Sequence, residues 1–151
     1  MKRIYVIAGP NGAGKTTASQ SLLPELLDCQ EFVNADEIAK ALSPFKPESV
    51  ALEAGRIMLS KINHLMDAGE TFAFETTLAT KSYKNLLLKA KAEGYQIRLI
   101  FFSLKNPELA ISRVKSRVLE GGHNIEPDII NRRFERGLFN FFTIYSKIIE
   151  D

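Results

Sequence analysis

Several residue types that define whole protein classes are scarce in this sequence. It has one cysteine, two histidines, no tryptophan and no apolar run longer than a strand. A single cysteine, Cys29, excludes an internal disulfide framework, and two histidines without clustered ligand spacing argue against a structural zinc site. A membrane-spanning helix would need roughly 18 consecutive apolar residues. Because residues 1–3 lead into a strand with no signal-peptide pattern, we expect a cytoplasmic protein without a role at the membrane.

Charge of one sign is also not concentrated anywhere. The chain carries 20 Lys and Arg against 18 Asp and Glu, a net charge of +2, and the two signs are interspersed. Binding to nucleic acid is therefore unsupported, because no basic block is present. The length of 151 residues and a hydrophobic content of 45% suit one domain, residues 1–151, with a single packed core.

The most informative segment follows the apolar run at residues 4–8. The pattern G-x-x-x-x-G-K-[ST] is complete at residues 9–16. A strand that ends in a glycine-rich turn and opens a helix gathers backbone N–H groups where phosphates bind. Lys15 is expected to reach the β and γ phosphates, and the Thr16 hydroxyl to bind Mg²⁺. The predicted nucleotide-binding residues are Gly9, Pro10, Asn11, Gly12, Ala13, Gly14, Lys15, Thr16 and Thr17.

Short apolar runs alternate with helical periodicity along the rest of the chain. Four strands are predicted, at residues 3–8, 31–34, 71–75 and 96–103. This alternation is typical of an α/β fold in which helices cover both faces of a parallel sheet. We therefore predict a three-layer sandwich of the P-loop nucleotide-binding type.

Three prolines mark the predicted helix starts, since proline is favoured in a first helical turn. They are Pro47, Pro107 (with Asn106 as its cap) and Pro127. The last helix carries an apolar stripe at three- to four-residue spacing, which we interpret as a core face and not an aromatic recognition surface. The stripe consists of Ile130, Phe134, Leu138, Phe141, Tyr145 and Ile148.

Two acids follow predicted strands at the end where a parallel sheet places its ligands. Asp36 comes after the second strand, and Glu75 with Thr76 and Thr77 ends the third. We expect Asp36 to orient and deprotonate a substrate hydroxyl, and Glu75 to hold Mg²⁺ through water or to bind substrate. The alternative for Asp36 is to cap a helix over residues 37–42, and the threonines alternatively serve only turns.

A basic segment lies further along the chain. Arg113 and Arg117 share one helix face, and a Gly-Gly-His turn ending at His123 breaks the chain before the Pro127 helix, which displays Arg132, Arg133 and Arg136. We predict a mobile lid at about residues 118–128. Arg117, or alternatively Arg113, would stabilise the negative charge of the transition state, and His123 would lie near the phosphate or the substrate. The alternative is a solvated basic face paired with glutamates.

These segments together resemble the zeta-toxin family of P-loop kinases, in its compact branch with a Gly-Gly-His lid. The resemblance runs nearly end to end through residues 7–17, 32–36, 74–77 and 113–123. It implies that Asp36 is the base, that Glu75 and Thr77 contact substrate, and that Arg117 or Arg113 is the lid arginine. It also implies ATP and Mg²⁺ as cofactors, a sugar-nucleotide acceptor such as UDP-N-acetylglucosamine, and an antitoxin partner.

Relatives usually continue into a fifth strand, whereas this sequence ends at Glu150 and Asp151. We therefore expect four strands in the order 2-3-1-4. The apolar fourth strand would then lie at an unprotected edge, and we predict self-association through that edge.

The leading hypothesis is a kinase that transfers the γ-phosphoryl group of ATP to a small-molecule hydroxyl. A non-catalytic module that binds nucleotide or an antitoxin is the alternative. A hydrolytic switch is disfavoured, because no Asn-Lys-x-Asp motif is present and the third strand lacks an Asp-Glu ending. A polynucleotide-end kinase would show steep salt dependence, where we expect a shallow one.

Overall fold

A parallel four-stranded sheet forms the centre of the computed structural model, which describes residues 1–149. The strands are β1 (Arg3–Ala8), β2 (Phe32–Val33), β3 (Phe72–Thr76) and β4 (Gln96–Phe101). Their order is β2-β3-β1-β4, which confirms the predicted order 2-3-1-4. Both observed neighbours of β1 run parallel to it, as crossover connections through helices require.

Seven α-helices surround the sheet in the described part of the chain. They are α1 (Lys15–Ser21), α2 (Ala35–Leu42), α3 (Ala51–Asp67), α4 (Tyr83–Ala92), α5 (Pro107–Leu119), α6 (Pro127–Asn140) and α7 (Ser146–Ile149). Wider π-helical turns extend α1 over Leu22–Leu26 and join α6 to α7 over Phe141–Tyr145. A short 3-10 helix, Pro47–Val50, precedes α3. No helix among these is long and apolar enough to cross a bilayer.

The core lies on both faces of the sheet, because successive strand residues point to opposite sides. On one face, Ile4 and Val6 of β1 pack with Met58 and Ile62 of α3, and α4 and α7 complete this layer. On the other face, Tyr5 and Ile7 pack under the α1 segment. A third, smaller cluster joins α5 to α6. The predicted α/β architecture with helices on both faces is therefore confirmed.

Several predicted boundaries were wrong by a few residues. Strand β2 is only two residues long, β3 extends to Thr76, and β4 ends at Phe101 instead of residue 103. The helix predicted from Pro47 begins instead as a 3-10 turn. Helix α2 begins at Ala35 and is capped by Asn34, so Asp36 lies inside the first turn and does not cap a helix starting at residue 37.

The predicted stripe of the last helix is also partly wrong. Ile130, Tyr145 and Ile148 are buried, but Leu138 is 39% exposed, and the buried residues in the second half of α6 are Gly137 and Asn140. A Cβ at Gly137 would collide with the backbone oxygen of Thr77. The face that contacts the core at this point must therefore be small, which shifts it one residue away from the apolar pattern.

Candidate active site

The predicted phosphate loop connects β1 to α1. Gly9, at φ +146°, packs so closely under Phe102 that a Cβ would strike the Phe102 backbone oxygen. Gly12 and Gly14 adopt φ values of +83° and +86°, the left-handed region that favours glycine. Gly14 is the N-cap of α1, whose helical path continues through the π turn to Leu26. The positive end of this helix therefore faces the loop.

Lys15 is almost completely buried at the centre of the loop. Its Nζ donates hydrogen bonds of 2.8 Å to the carbonyl oxygens of Gly9 and of Pro10 and lies 3.9 Å from Oε1 of Glu75. Burial lowers the pKa of Lys15 to about 8, against the opposing attraction of Glu75 and Asp36. The ammonium group is held by the loop's own carbonyls.

Glu75 lies beside the first turn of α1. Its Oε2 accepts hydrogen bonds from the Thr16 hydroxyl at 2.8 Å and from Nδ2 of Asn34 at 2.7 Å. Burial raises the pKa of Glu75, whereas Lys15 and the Thr16 hydrogen bond act in the opposite direction. A threonine hydroxyl and a carboxylate next to a phosphate-binding loop are hard oxygen donors, which fit Mg²⁺ that arrives with a nucleotide.

Asp36 is exposed in the first turn of α2. Its charge nevertheless raises the pKa of both Lys15 and Glu75, so it lies within electrostatic range of both groups. Its carboxylate makes no hydrogen bond to protein in the described residues, and it is available to an incoming hydroxyl.

The strand-end threonines take part in turns. The Thr76 hydroxyl accepts from the Leu78 amide at 3.0 Å, and the Thr77 hydroxyl accepts from the Ala79 amide at 3.4 Å. Each hydroxyl keeps its own hydrogen for donation to a ligand. The structure is therefore compatible with both the turn role and the substrate role.

Two arginines, one on α5 and one on α6, lie near the phosphate loop. Arg117 of α5 and Arg133 of α6 both lower the pKa of Lys15, and Arg133 Nη1 donates to Oδ1 of Asn11 at 3.4 Å. The Cβ of Arg113 lies beside the loop, 3.1 Å from where a Cβ would stand if one were added to Gly12. The charge of Arg117 acts on both Lys15 and Glu75, which favours Arg117 of the two predicted arginines.

His123 follows α5 in the Gly-Gly-His turn. Its Nδ1 is 3.8 Å from Oε2 of Glu48 in the 3-10 helix before α3. The turn after α5 therefore reaches the segment that follows α2. Two further residues were predicted to bind the nucleotide. The Ala13 amide donates a hydrogen bond to the Pro10 carbonyl, and Thr17 is exposed on α1.

Sequence reasoning missed two residues of this cluster. Asn34 was not assigned a role, although an Asn followed by two acids is typical of a helix N-terminus and could have marked it. Arg133 was noted only as one of three arginines on the last helix. Its selection depends on how α6 packs against α5, which periodicity alone does not give.

Comparison with known proteins identifies a family and related folds. The zeta toxin family model matches residues 1–148. An uncharacterized protein of Haemophilus influenzae is 29% identical over 126 residues, which are 83% of this chain and 88% of that protein.

Solved structures show the same fold at low identity. An AvrRxo1-ORF1:ORF2 structure with ATP superposes with a TM-score of 0.76 at 18% identity over 100% of this chain and 52% of that one. The PezAT toxin–antitoxin system of Streptococcus pneumoniae gives 0.71 at 21% identity, covering 99% and 66%. Shikimate kinase of Acinetobacter baumannii, in complex with shikimate, gives 0.56 at 20%, covering 98% and 80%.

The chain spans less than two-thirds of the length of the first two of these structures. Its own fold is that of P-loop kinases, and its match to the family model extends over nearly all of the sequence. The chain belongs to the zeta toxin family.

Proposed function

We propose that the protein is an ATP-dependent kinase that phosphorylates a hydroxyl group of a small molecule. The observation that carries the proposal is the cluster of Lys15, Thr16 and Glu75, joined at the start of α1 with Asp36 in electrostatic range. Phosphoryl transfer needs positioning and charge neutralisation more than covalent catalysis, and this cluster supplies both.

Each residue has a chemical role in this proposal. The loop amides and Lys15 bind the β and γ phosphates, and Thr16 and Glu75 would hold Mg²⁺, which neutralises phosphate charge when bound. Asp36 accepts the proton of the acceptor hydroxyl. The hydroxyl oxygen then bonds to the γ phosphorus while the bond to the ADP oxygen breaks.

The lid residues complete the same site. Arg117 and Arg133 balance the charge that develops on the transferred group, and their approach from two different helices would be set by lid closure. His123, with Thr76 and Thr77 on the opposite side, contacts the acceptor. The acceptor class that the family resemblance favours is a sugar nucleotide such as UDP-N-acetylglucosamine.

To test this proposal, the protein is incubated with radiolabelled ATP, Mg²⁺ and a metabolite extract, and any newly labelled compound is identified. The incubation is then repeated with a panel of sugar nucleotides as acceptors. We expect acceptor-dependent ADP release that Lys15→Ala abolishes and Asp36→Asn lowers by roughly 10²- to 10⁴-fold, the usual contribution of a general base. Glu37→Gln, a matched change at the neighbouring exposed acid, should leave the rate unchanged. Turnover that Asp36→Asn does not affect would remove the assigned base.

A second candidate is a nucleotide-binding module that acts through a protein partner. It is favoured by the similarity to a toxin–antitoxin system. Tight ATP binding without transfer to any acceptor, together with a partner that changes this binding, would support it over the kinase.

A further inference from the structure

Asn34 connects the two acid-bearing elements of the site, helix α2 and strand β3. It follows β2 in an extended conformation and is 7% exposed. Its Oδ1 accepts from the amides of Asp36 at 2.8 Å and Glu37 at 3.4 Å. Its Nδ2 donates to Oε2 of Glu75 at 2.7 Å and lies 3.4 Å from the Thr16 hydroxyl oxygen. One side chain thus contacts both the first turn of α2 and the carboxylate of β3.

The capping role alone does not explain this residue. A helix N-cap needs only an acceptor oxygen, which serine or aspartate supplies as well as asparagine. Because both amides at the start of α2 are donors, the atom that faces them must be the oxygen. The amide nitrogen then necessarily faces Glu75, where it adds a donor that capping does not require.

That donor has a specific geometric effect. Oε2 of Glu75 is bound by Thr16 and Asn34, and Oε1 faces Lys15. Three groups from two different segments, the start of α1 and the end of β2, therefore fix the plane of one carboxylate. Hydrogen bonds of this kind orient a metal-binding carboxylate, and their removal typically weakens metal affinity or activity by 10–100-fold.

We propose that Asn34 is a positioning residue that orients Glu75 toward the magnesium–phosphate group while it fixes the helix turn carrying Asp36. This inference rests on the proposed kinase function. Asn34 itself touches neither the phosphates nor the acceptor. It sets the relative position of the proposed base and the proposed metal-binding acid.

Two substitutions separate positioning from capping. Asn34→Ser keeps a capping oxygen and loses the donor to Glu75. Calorimetry measures ATP binding at increasing Mg²⁺ concentrations and gives the Mg²⁺ concentration at which the enhancement of binding is half-maximal. In Asn34→Ser we expect this concentration to rise about 10–100-fold. The kcat should fall with little change in the KM for the acceptor. Asn34→Asp also keeps the cap but replaces the donor that faces Glu75 with a second carboxylate, so kcat should fall at least as far as in Asn34→Ser.

The matched control is Asn106→Ser. Asn106 caps α5 by accepting from the Leu109 amide, and its side chain makes no described hydrogen bond to an acid. The same chemical change there should leave Mg²⁺ dependence and kcat unaltered. An Asn34→Ser protein with wild-type Mg²⁺ dependence would overturn the proposal, as would a loss matched by Asn106→Ser.

The outcome also separates this inference from the kinase assignment. If the wild-type protein binds Mg–ATP but transfers no phosphoryl group, the proposed function fails, while the calorimetric Mg²⁺ midpoints still decide the role of Asn34. If neither variant nor wild type shows Mg²⁺-dependent nucleotide binding, both proposals fail.

Discussion

At the scale of single residues, the site is organised around one buried lysine. Nearly all of the Lys15 side chain is removed from water, and its ammonium group is held by two backbone carbonyls of its own loop. A buried charge without full compensation is costly, so its pKa falls. The phosphates of a nucleotide would restore the missing countercharge. Binding strength is thereby linked to the protonation state of this side chain.

The pH dependence of ATP binding follows from this linkage. In the folded protein, burial lowers the pKa of Lys15 to about 8. The charges of Arg117 and Arg133 lower it further, whereas Glu75 and Asp36 act in the opposite direction. Phosphates favour the charged form, so binding above this pH requires proton uptake. We expect the affinity for ATP to fall by roughly tenfold per pH unit above about 8, until the pKa of the complex is reached.

Calorimetry at pH 8.5 in buffers with different ionisation enthalpies would detect the proton uptake. Lys15→Arg is the control, because an arginine stays charged throughout this range and its weaker binding should not vary with pH. An affinity that is constant from pH 7 to 9.5 in the wild-type protein would contradict the linkage.

At the scale of elements, α6 connects the phosphate loop to the loop that follows β3. Its first half brings Arg133 to Asn11 of the phosphate loop. Its end contacts the loop after β3, where Asn140 donates to the Leu78 carbonyl at 2.8 Å. Tyr145, in the following π turn, donates to the Thr80 carbonyl at 2.7 Å. Helix α6, its following π turn and the loop after β3 are therefore packed as one unit.

Gly137 lies where α6 crosses this loop, and its substitution tests the packing. A Cβ would collide with the Thr77 backbone oxygen, so we expect Gly137→Ala to destabilise the protein by about 1–3 kcal/mol despite the higher helix propensity of alanine. Gly55→Ala is the control, because Gly55 is also helical and, apart from the backbone of its own helix, no atom lies within 4 Å of the added Cβ. It should stabilise by about 0.5–1 kcal/mol.

Urea denaturation of both variants gives these free energies of unfolding. Equal effects of the two substitutions would show that α6 does not pack tightly against the loop after β3.

At the scale of the whole molecule, the sequence predicted the sheet order and the phosphate loop but only part of the site. A complete glycine-rich motif after an apolar strand specified the loop, and alternating apolar runs specified the strands and the α/β class, whereas the strand order was implied by the family resemblance. The burial of Gly137, the contact of Arg133 with Asn11 and the bridge made by Asn34 depend on how distant segments pack. No local pattern encodes those distances, which is why they were missed.

The edge of the sheet illustrates a prediction that remains open. Within residues 1–149, β4 has a strand partner on one side only. Gln96 and Arg98 are exposed along it, and charged residues on an edge strand act against pairing with another chain. Self-association through β4 therefore stays a prediction.

The central claim is that the loop between β1 and α1 binds a nucleoside triphosphate. The most direct measurement is calorimetric titration of the folded protein with Mg–ATP and Mg–GTP near neutral pH. We predict saturable 1:1 binding of at least one of them, which Lys15→Ala greatly weakens while circular dichroism shows an unchanged fold. The absence of saturable heat from either nucleotide with the folded wild-type protein would contradict the account.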